Sequence, residues 1–302
     1  VLTGEEAETA GHADGVLDEI AIEVDAVAGE PVQVRGPDVA VAVRPQGVPA
    51  LLVRVENEYI RSSQLQSPGL RSLTNIMIKI AKVEKLYKSP GPQPNGLQAA
   101  EDGLWCIDQG NMKVYRSDWE TGEVLFEADT DTEHSSGITL GGGYVWVAST
   151  FELKIAKLDP LTGQTVAKYD SPGSGVVAWV PQTDVARVTG AHGLEWGEDG
   201  RLYVATPPSQ MIHVIDVDNW EEVHRFRAPG LRVHGLAWAG DGTLWVSDTS
   251  AGTVNRLDVE DGRVWEVIRL AAPDEVHGLT IRDNVLWYCD AATCDVGRLL
   301  VD

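Results

Sequence analysis

The sequence predicts an all-β fold, a six-bladed β-propeller of four-stranded antiparallel blades, from three observations. The stretch His-Gly-Leu occurs three times, and its histidines are 42 and 43 residues apart. A repeat of this length matches one propeller blade. Tight-turn pairs such as Asp-Gly follow each opening by about eight residues, and a strand of alternating apolar residues follows each turn.

Five copies of the repeat align along the chain, and each opens on a polar residue followed by Gly and then Leu or Ile. The opening residues are Asn95, Ser136, His192, His234 and His277. The second strand of each copy carries an aromatic residue, which we expect to pack between blades. The copies are predicted to form blades over residues 95–130, 136–171, 192–229, 234–271 and 277–302.

The N-terminal part supplies the other elements of this prediction. Residues 38–90 are interpreted as a sixth, degenerate blade with strands at 39–43, 51–55, 76–80 and 83–88. The last copy holds only three strands, and an open sheet edge favours aggregation. We therefore expect residues 29–36 to add its fourth strand and to close the ring. A five-bladed ring closed by residues 83–88, with a separate N-terminal β segment, is the alternative.

The length and composition are consistent with one domain that buries a sizeable core. The chain has 302 residues, of which 43% are hydrophobic. We expect an acidic flexible tail over residues 1–18 and a single propeller domain over residues 19–302. Cys106, Cys289 and Cys294 lack the spacing of a disulfide framework or a zinc finger, and the first two are predicted to be small core residues.

The charge of the chain restricts its partners. The formal net charge of -22 makes this an acidic protein, which nucleic acid and anionic membranes would repel. No apolar run is long enough for a membrane span. We therefore expect a monomer that takes a small-molecule substrate. A cytoplasmic location is favoured because the three widely separated cysteines do not suggest a disulfide framework. No secretory leader is visible either, although secretion stays open if the N-terminus has been processed.

Chemistry-bearing residues are predicted to converge on one face of the propeller. The opening histidines begin first strands, whereas Asp108, Asp248 and Asp290 end second strands, and both positions open on the same face. Two long insertions also lie there, and one of them contains Trp179. Loops around such a mouth are placed to form a pocket. Asn95, Asp108, Ser136 and Trp179 are the predicted substrate-pocket residues.

The three equivalent histidines suggest a metal site or an acid–base site. Neutral imidazole is a common metal ligand, and three imidazoles with an open fourth position could hold a divalent ion. His192, His234 and His277 are the predicted ligands, with magnesium, zinc, calcium and iron all left open. Alternatively, one histidine acts as a general base backed by Asp248 or Asp290, or the histidines are structural. The sequence contains no Gly-rich phosphate loop and no Gly-x-Ser-x-Gly elbow, which disfavours a nucleotide enzyme or a serine hydrolase.

At these blade motifs the chain resembles the streptogramin (virginiamycin B) lyase family over about residues 92–302, and more weakly NHL-like and gluconolactonase-like propellers. The resemblance implies a magnesium-assisted ring-opening elimination. By matching position it implies catalytic roles for His234, Asp248, His277 and Asp290. The chain departs from the family where its second strands end in Asp, Ser or Thr instead of Glu. The family also has seven blades.

Two hypotheses about function follow. The first is a metal-dependent lyase or hydrolase that acts on a small ester, lactone or related molecule at the central mouth. The second is a non-catalytic propeller that binds a protein or peptide on the same face. Fold alone does not choose between them, because propellers host both functions.

Overall fold

The computed structural model describes residues 76–177, 188–271 and 275–301, together with four strands nearer the N-terminus. The chain divides into two compact units, Val1–Asn75 and Ile76–Asp302. The described residues are almost all strand and turn. None of their helical segments has the length and apolar character that a membrane crossing needs.

The first unit contains four strands. They are β1 (Ala21–Val24), β2 (Ala40–Val43), β3 (Leu51–Glu56) and β4 (Tyr59–Ser62). β1 runs parallel to β2, whereas β2–β3 and β3–β4 are antiparallel pairs. The predicted strands at 39–43 and 51–55 therefore form. The predicted closing strand at 29–36 and the tail at 1–18 lie outside the described residues.

The second unit consists of five four-stranded blades, which we number in chain order. A long strand, β5 (Met77–Lys88), precedes them. The first blade contains β6 (Pro94–Ala100), β7 (Gly103–Asp108), β8 (Lys113–Ser117) and β9 (Val124–Asp129); the second contains β10 (Ser135–Gly141), β11 (Tyr144–Ser149), β12 (Lys154–Leu158) and β13 (Thr165–Asp170). A short hairpin follows, made of β14 (Gly175–Val176) and β15 (Val188–Thr189).

The remaining three blades follow the same plan. The third contains β16 (Gly193–Trp196), β17 (Leu202–Thr206), a 3-10 helix (Pro207–Ser209), β18 (Met211–Asp216) and β19 (Glu221–Arg227). The fourth contains β20 (Val233–Trp238), β21 (Thr243–Asp248), β22 (Thr253–Asp258) and β23 (Val264–Leu270). The fifth contains β24 (Val276–Arg282), β25 (Val285–Asp290), β26 (Asp295–Val301) and β5.

The first strands of the five blades form a closed ring, the hub, so the predicted six-bladed ring is wrong for this unit. The glycine of each opening motif lies against the next first strand. A Cβ on Gly193 would lie 1.7 Å from the carbonyl oxygen of His234, and one on Gly278 would lie 2.7 Å from Leu97 N. Because the fifth blade already contacts the first, no sixth blade fits between them. Glycine permits this close main-chain approach.

The ring is closed by β5, which occupies the edge of β26 where residues 29–36 were predicted. β5 pairs antiparallel with β26 over Ala81–Lys88 and parallel with β23 over Met77–Ala81. The strands predicted at 76–80 and 83–88 are therefore one continuous strand, and the alternative five-bladed prediction describes this unit. β5 covers the edge of β26 that would otherwise be exposed.

The core lies between neighbouring blades, and the predicted packing of the second-strand aromatics is confirmed. All five aromatic side chains are buried: Trp105, Trp146, Tyr203, Trp245 and Trp287. Cys106 and Cys289 are buried free thiols in the cluster between the first and fifth blades, as predicted for core residues. This packing holds the first strands in register around the hub.

Candidate functional site

The five opening residues of the repeats lie at equivalent positions around the hub, and we call them the hub ring. In four blades the pairing between the first and second strands is irregular at this point. The breaks fall at Pro94/Gly96, Ser135/Ile138, Val233/Leu236 and Val276/Gly278. In the third blade, His192 immediately precedes β16. Such irregularities redirect a side chain out of the sheet pattern and are common next to binding sites.

The structure brings the three predicted histidines into contact. Nδ1 of His192 lies 3.0 Å from Nε2 of His234. The ring centroids of His234 and His277 are 4.3 Å apart. Residues more than 40 positions apart in the sequence therefore share one cluster, and His234 touches both of the others.

In this cluster, His192 and His234 each donate a hydrogen bond from Nδ1 and accept one at Nε2. His234 Nδ1 lies 2.9 Å from the carbonyl oxygen of Arg232, which can only accept, so Nδ1 carries the proton. In a neutral ring, Nε2 of His234 then accepts from His192 Nδ1. Nε2 of His192 in turn accepts from the Thr189 hydroxyl at 2.9 Å. His277 Nδ1 is buried without a hydrogen-bond partner among the described residues.

Burial keeps all three imidazoles in their neutral form. Desolvation lowers the pKa of His234 from 6.5 to about 4. It also lowers the pKa of His192 and of His277 well below the usual value, and the neighbouring imidazoles and the Arg232 guanidinium lower both further. The site therefore presents uncharged nitrogen donors at neutral pH.

The predicted aspartates end their second strands on the same face, but their carboxylates hold loops. Asp290 Oδ2 accepts from Glu275 N at 3.0 Å, and Oδ1 accepts from Ala292 N and Thr293 N at 2.8 Å. Asp108 binds Gln93 N in the same way at 2.7 Å. Each of these carboxylates anchors the segment that precedes the hub-ring residue of its own blade.

Asp248 holds the turn that follows its own strand. Its Oδ1 accepts from Ser250 N at 2.9 Å, from Ala251 N at 3.2 Å and from the Ser250 hydroxyl at 2.6 Å. Its negative charge partly offsets the effect of burial, which lowers the pKa of His234. The geometry thus gives Asp248 and Asp290 a positioning role and shows neither in a hydrogen bond to a hub histidine among the described residues.

Asn95 and Ser136 complete the hub ring with neutral oxygens. Asn95 Oδ1 and Ser136 Oγ are buried, and neither has a hydrogen-bond partner in the described part of the chain. The cavity on the axis, which Asn95 and His192 help to line, measures only about 10 Å³. This is close to the smallest volume that holds one water molecule. This volume leaves no room for a larger molecule within the ring. Trp179 lies outside the described residues.

Two residues near the hub were not predicted from the sequence. Arg232 and Glu275 stand two positions before His234 and His277, and their side chains are each about a third exposed. Glu275 Oε1 lies 3.5 Å from Arg232 Nη2 and 3.6 Å from His277 Nδ1. Besides burial, the positive charge of Arg232 lowers the pKa of all three histidines. In the sequence, only their equivalent position, two residues before the opening histidine of a repeat, could have pointed to Arg232 and Glu275.

The hub contains the types of side chain that bind divalent ions, but these side chains are not arranged around a common point as metal ligands would be. Neutral imidazole nitrogen and the orphan oxygens of Asn95 and Ser136 are metal donors. Within the described ranges, however, no three His, Cys, Asp or Glu side chains are grouped so that they could hold a metal ion. Binding through all three imidazoles would break the His192–His234 hydrogen bond and turn at least one ring.

The sequence matches no protein-family model, and no curated protein is detectably similar to it. Solved propeller-like structures are similar. Glutaminyl cyclase from Myxococcus xanthus is 12% identical, with 74% of this chain and 98% of that chain covered and a TM-score of 0.57. At this identity the likeness shows a common fold.

Streptogramin lyases, which the blade motifs resemble, also appear among the similar structures. A streptogramin B lyase is 17% identical, with 73% of this chain and 97% of that chain covered and a TM-score of 0.47. Virginiamycin B lyase from Staphylococcus aureus is 17% identical, with 84% and 78% covered and a TM-score of 0.45.

Proposed function

We propose that the mouth above the hub is the active site of a metal-dependent lyase or hydrolase that acts on a small ester, lactone or related molecule. One observation carries the proposal: three neutral imidazoles from three blades meet beside buried polar atoms that have no hydrogen-bond partner among the described residues. Buried polar groups are normally hydrogen-bonded, so unsatisfied atoms in one cluster favour a bound ion or ligand.

In this proposal His192, His234 and His277 hold a divalent ion. Such an ion would polarise a carbonyl oxygen or lower the pKa of a bound water molecule. The low pKa values of the imidazoles favour this role, because a metal ligand must be deprotonated. Asn95 and Ser136 stand on the opposite side of the ring, where their oxygens can contact the ion or the substrate.

The other residues of the proposed site would bind the substrate or hold the loops around it in place. Asp290 anchors the loop that carries Glu275, and Asp248 holds the turn at Ser250 and Ala251 that follows its own strand. Arg232 can donate hydrogen bonds to a substrate oxygen. If His277 does not ligate the ion, its Nδ1, which has no hydrogen-bond partner among the described residues, is the atom that would accept a proton from the substrate. Because the axial cavity is so small, the substrate would lie on the ring and not within it.

The small axial cavity also supports a second candidate, a non-catalytic propeller that binds a protein or peptide across the same mouth. Such a partner needs a surface and not a deep pocket. Arg232 and Glu275 would then be contact residues at the rim, and the buried histidines would serve only to hold the hub together.

Metal analysis separates the two candidates. The purified protein is dialysed separately against magnesium, zinc, calcium and ferrous iron, and bound metal is measured by mass spectrometry. We expect about one equivalent of one ion, its loss in His234→Asn, and its retention in His224→Asn. His224 is an exposed control whose Nε2 contacts the Glu260 carbonyl oxygen. A metal-free protein whose melting temperature is unchanged by chelator would support the binding module.

A further inference from the structure

A second group of chemistry-bearing residues lies in the third blade and shares no residue with the hub. Ser209 Oγ lies 2.9 Å from Nε2 of His213, and Nδ1 of the same ring lies 2.5 Å from Glu222 Oε2. A hydroxyl, an imidazole and a carboxylate thus form a continuous chain. Each uses the atom that an acyl-transfer triad requires, with Nε2 towards the nucleophile and Nδ1 towards the acid.

Local structure explains how three elements meet at this point. Two consecutive prolines turn the chain after β17 into the 3-10 helix that ends at Ser209, and Gln210 follows in the left-handed conformation. His213 lies in β18. Glu222 lies in β19 opposite Ile215, which is on the same face of β18 as His213. Glu222 therefore reaches His213 diagonally across the strand pair.

The Glu222 carboxylate determines which ring nitrogen of His213 carries the proton. Glu222 can only accept when ionised, so His213 carries a proton on Nδ1 and, when neutral, presents the lone pair of Nε2 to Ser209. Ser209 Oγ also lies 2.9 Å from the Thr206 carbonyl oxygen. Rotation of the hydroxyl hydrogen alone therefore moves the proton from that carbonyl towards His213. Arg225 places a positive charge 3.5 Å from Glu222 Oε1.

The surroundings bury the base more deeply than the nucleophile. His213 is 2% exposed, whereas Ser209 is partly exposed to solvent. The main chain of Gly173 covers the pair. A Cβ at that position would lie 2.4 Å from His213 Nε2 and 2.6 Å from Ser209 Oγ. Because Gly173 has no side chain, its main chain can pack directly against the two reactive atoms.

No motif in the sequence indicates this arrangement. The absence of a Gly-x-Ser-x-Gly elbow disfavoured a serine hydrolase. The structure places His213 in the core of a hydrogen-bonded triad instead. Such triads occur on unrelated folds and in different chain orders, so geometry identifies them better than a motif does.

We infer that Ser209, His213 and Glu222 form a second, metal-independent catalytic site that transfers acyl groups from small activated esters to water. Ser209 Oγ bonds to the acyl carbon while its proton moves to His213 Nε2. The bond to the leaving alcohol then breaks, and that alcohol takes the proton. Water attacks the acyl-serine, gives one proton back through His213, and releases the acid with Ser209 restored. Glu222 is a positioning residue that holds the imidazole.

Covalent labelling tests this inference directly. The full-length protein is incubated in chelator with an alkyl fluorophosphonate, which forms an Oγ–P bond on an activated serine and releases fluoride. We expect one adduct per chain, mapped to Ser209 by peptide mass spectrometry. It should be absent in Ser209→Ala and present at the wild-type rate in Ser174→Ala, a control in the neighbouring loop. Labelling that proceeds in the presence of chelator separates this site from the proposed metal site.

Kinetics provide a second readout. Hydrolysis of p-nitrophenyl acetate should fall at least about 10²-fold in Ser209→Ala and in His213→Gln. Glu222→Gln should lower kcat with little change in KM and alter the pH profile, and Glu222→Asp should restore part of the rate. Circular dichroism checks that each variant is folded. Absence of an adduct on the wild type, or an adduct on any serine other than Ser209, would overturn the inference even if a variant failed to fold.

Discussion

Glu195 shows how much a single buried side chain can contribute to the hub. It lies on β16 with 3% exposure, and its Oε1 accepts from Trp196 N at 3.0 Å. The main chain of Trp238 and the side chains of Thr139 and Gln98, from three other blades, also act to lower the pKa of this carboxyl. Desolvation outweighs these groups and raises the pKa of Glu195 from 4.5 to about 8. One carboxyl therefore interacts with groups from four blades and is mostly protonated at neutral pH.

The raised pKa predicts how Glu195 affects stability. The protonated carboxyl stabilises the fold fully below pH 4.5, and this contribution is lost as the pH rises through about 8. Glu195→Gln should thus be more stable than the wild type above pH 8, by on the order of a few kcal/mol. Urea unfolding at pH 5 and pH 9 measures this, with exposed Glu198→Gln as the control. An equal effect at both pH values would contradict the prediction.

The hub histidines predict the opposite dependence. The pKa of His234 falls from 6.5 in the unfolded chain to about 4 in the folded protein. The stability from its neutral form is present above pH 6.5 and lost as the pH falls through about 4. In His234→Gln, the loss of melting temperature between pH 6.5 and pH 4 should be smaller than in the wild type. His224→Gln should keep the wild-type slope; an unchanged slope in both variants would refute the assignment.

At the scale of elements, the opening motif combines two separate tasks. Its glycine allows neighbouring first strands to touch, and its first residue projects from the irregular pairing into the hub ring. The repeat therefore conserves backbone geometry in all five blades, while the chemistry is free to vary between Asn, Ser and His. This explains how a structural motif and a candidate site occupy the same short stretch.

Gly193→Ala tests the first of these tasks. The added Cβ would lie 1.7 Å from the His234 carbonyl oxygen, so β16 and β20 must separate. We expect a loss of about 3 kcal/mol or more in the free energy of unfolding, because main chain cannot move aside as a side chain can. Chemical denaturation measures it. Gly175→Ala, where the nearest atom is 3.5 Å away, should cost far less.

At the scale of the whole molecule, closure of the propeller depends on a strand that precedes all five repeats. β5 supplies the outer strand of the fifth blade and also pairs with β23 of the fourth. The first and last parts of the second unit are thereby joined through main-chain hydrogen bonds. Such closure removes an edge that would otherwise pair with other chains.

Two truncations test this closure. A protein that begins at Ile76 retains all five blades and β5, so it should unfold cooperatively as the full chain does. A protein that begins at Ser89 lacks β5 and exposes the edge of β26, so it should aggregate or melt at a lower temperature. Size-exclusion chromatography and thermal unfolding distinguish them. Equal behaviour of both would show that β5 is not the closing element.

The sequence predicted some features of the molecule and not others, for physical reasons. The 42- and 43-residue spacing placed His192, His234 and His277 at equivalent points of a ring, so their contact followed from symmetry alone. The role of Asp248 and Asp290 did not follow, because a carboxylate at a strand end can face either the mouth or its own loop. The triad of Ser209, His213 and Glu222 depends on a 3-10 turn and a diagonal contact that no repeat pattern encodes.

The amino-acid pattern alone determined the all-β repeat, the buried second-strand aromatics and the cluster of equivalent histidines. These depend on local periodicity, which each blade carries within its own residues. Only the tertiary structure decided the number of blades, the closing strand and the partner of each polar side chain. Those depend on how closely glycine lets first strands approach at the hub, and on which edge remains for β5 to cover.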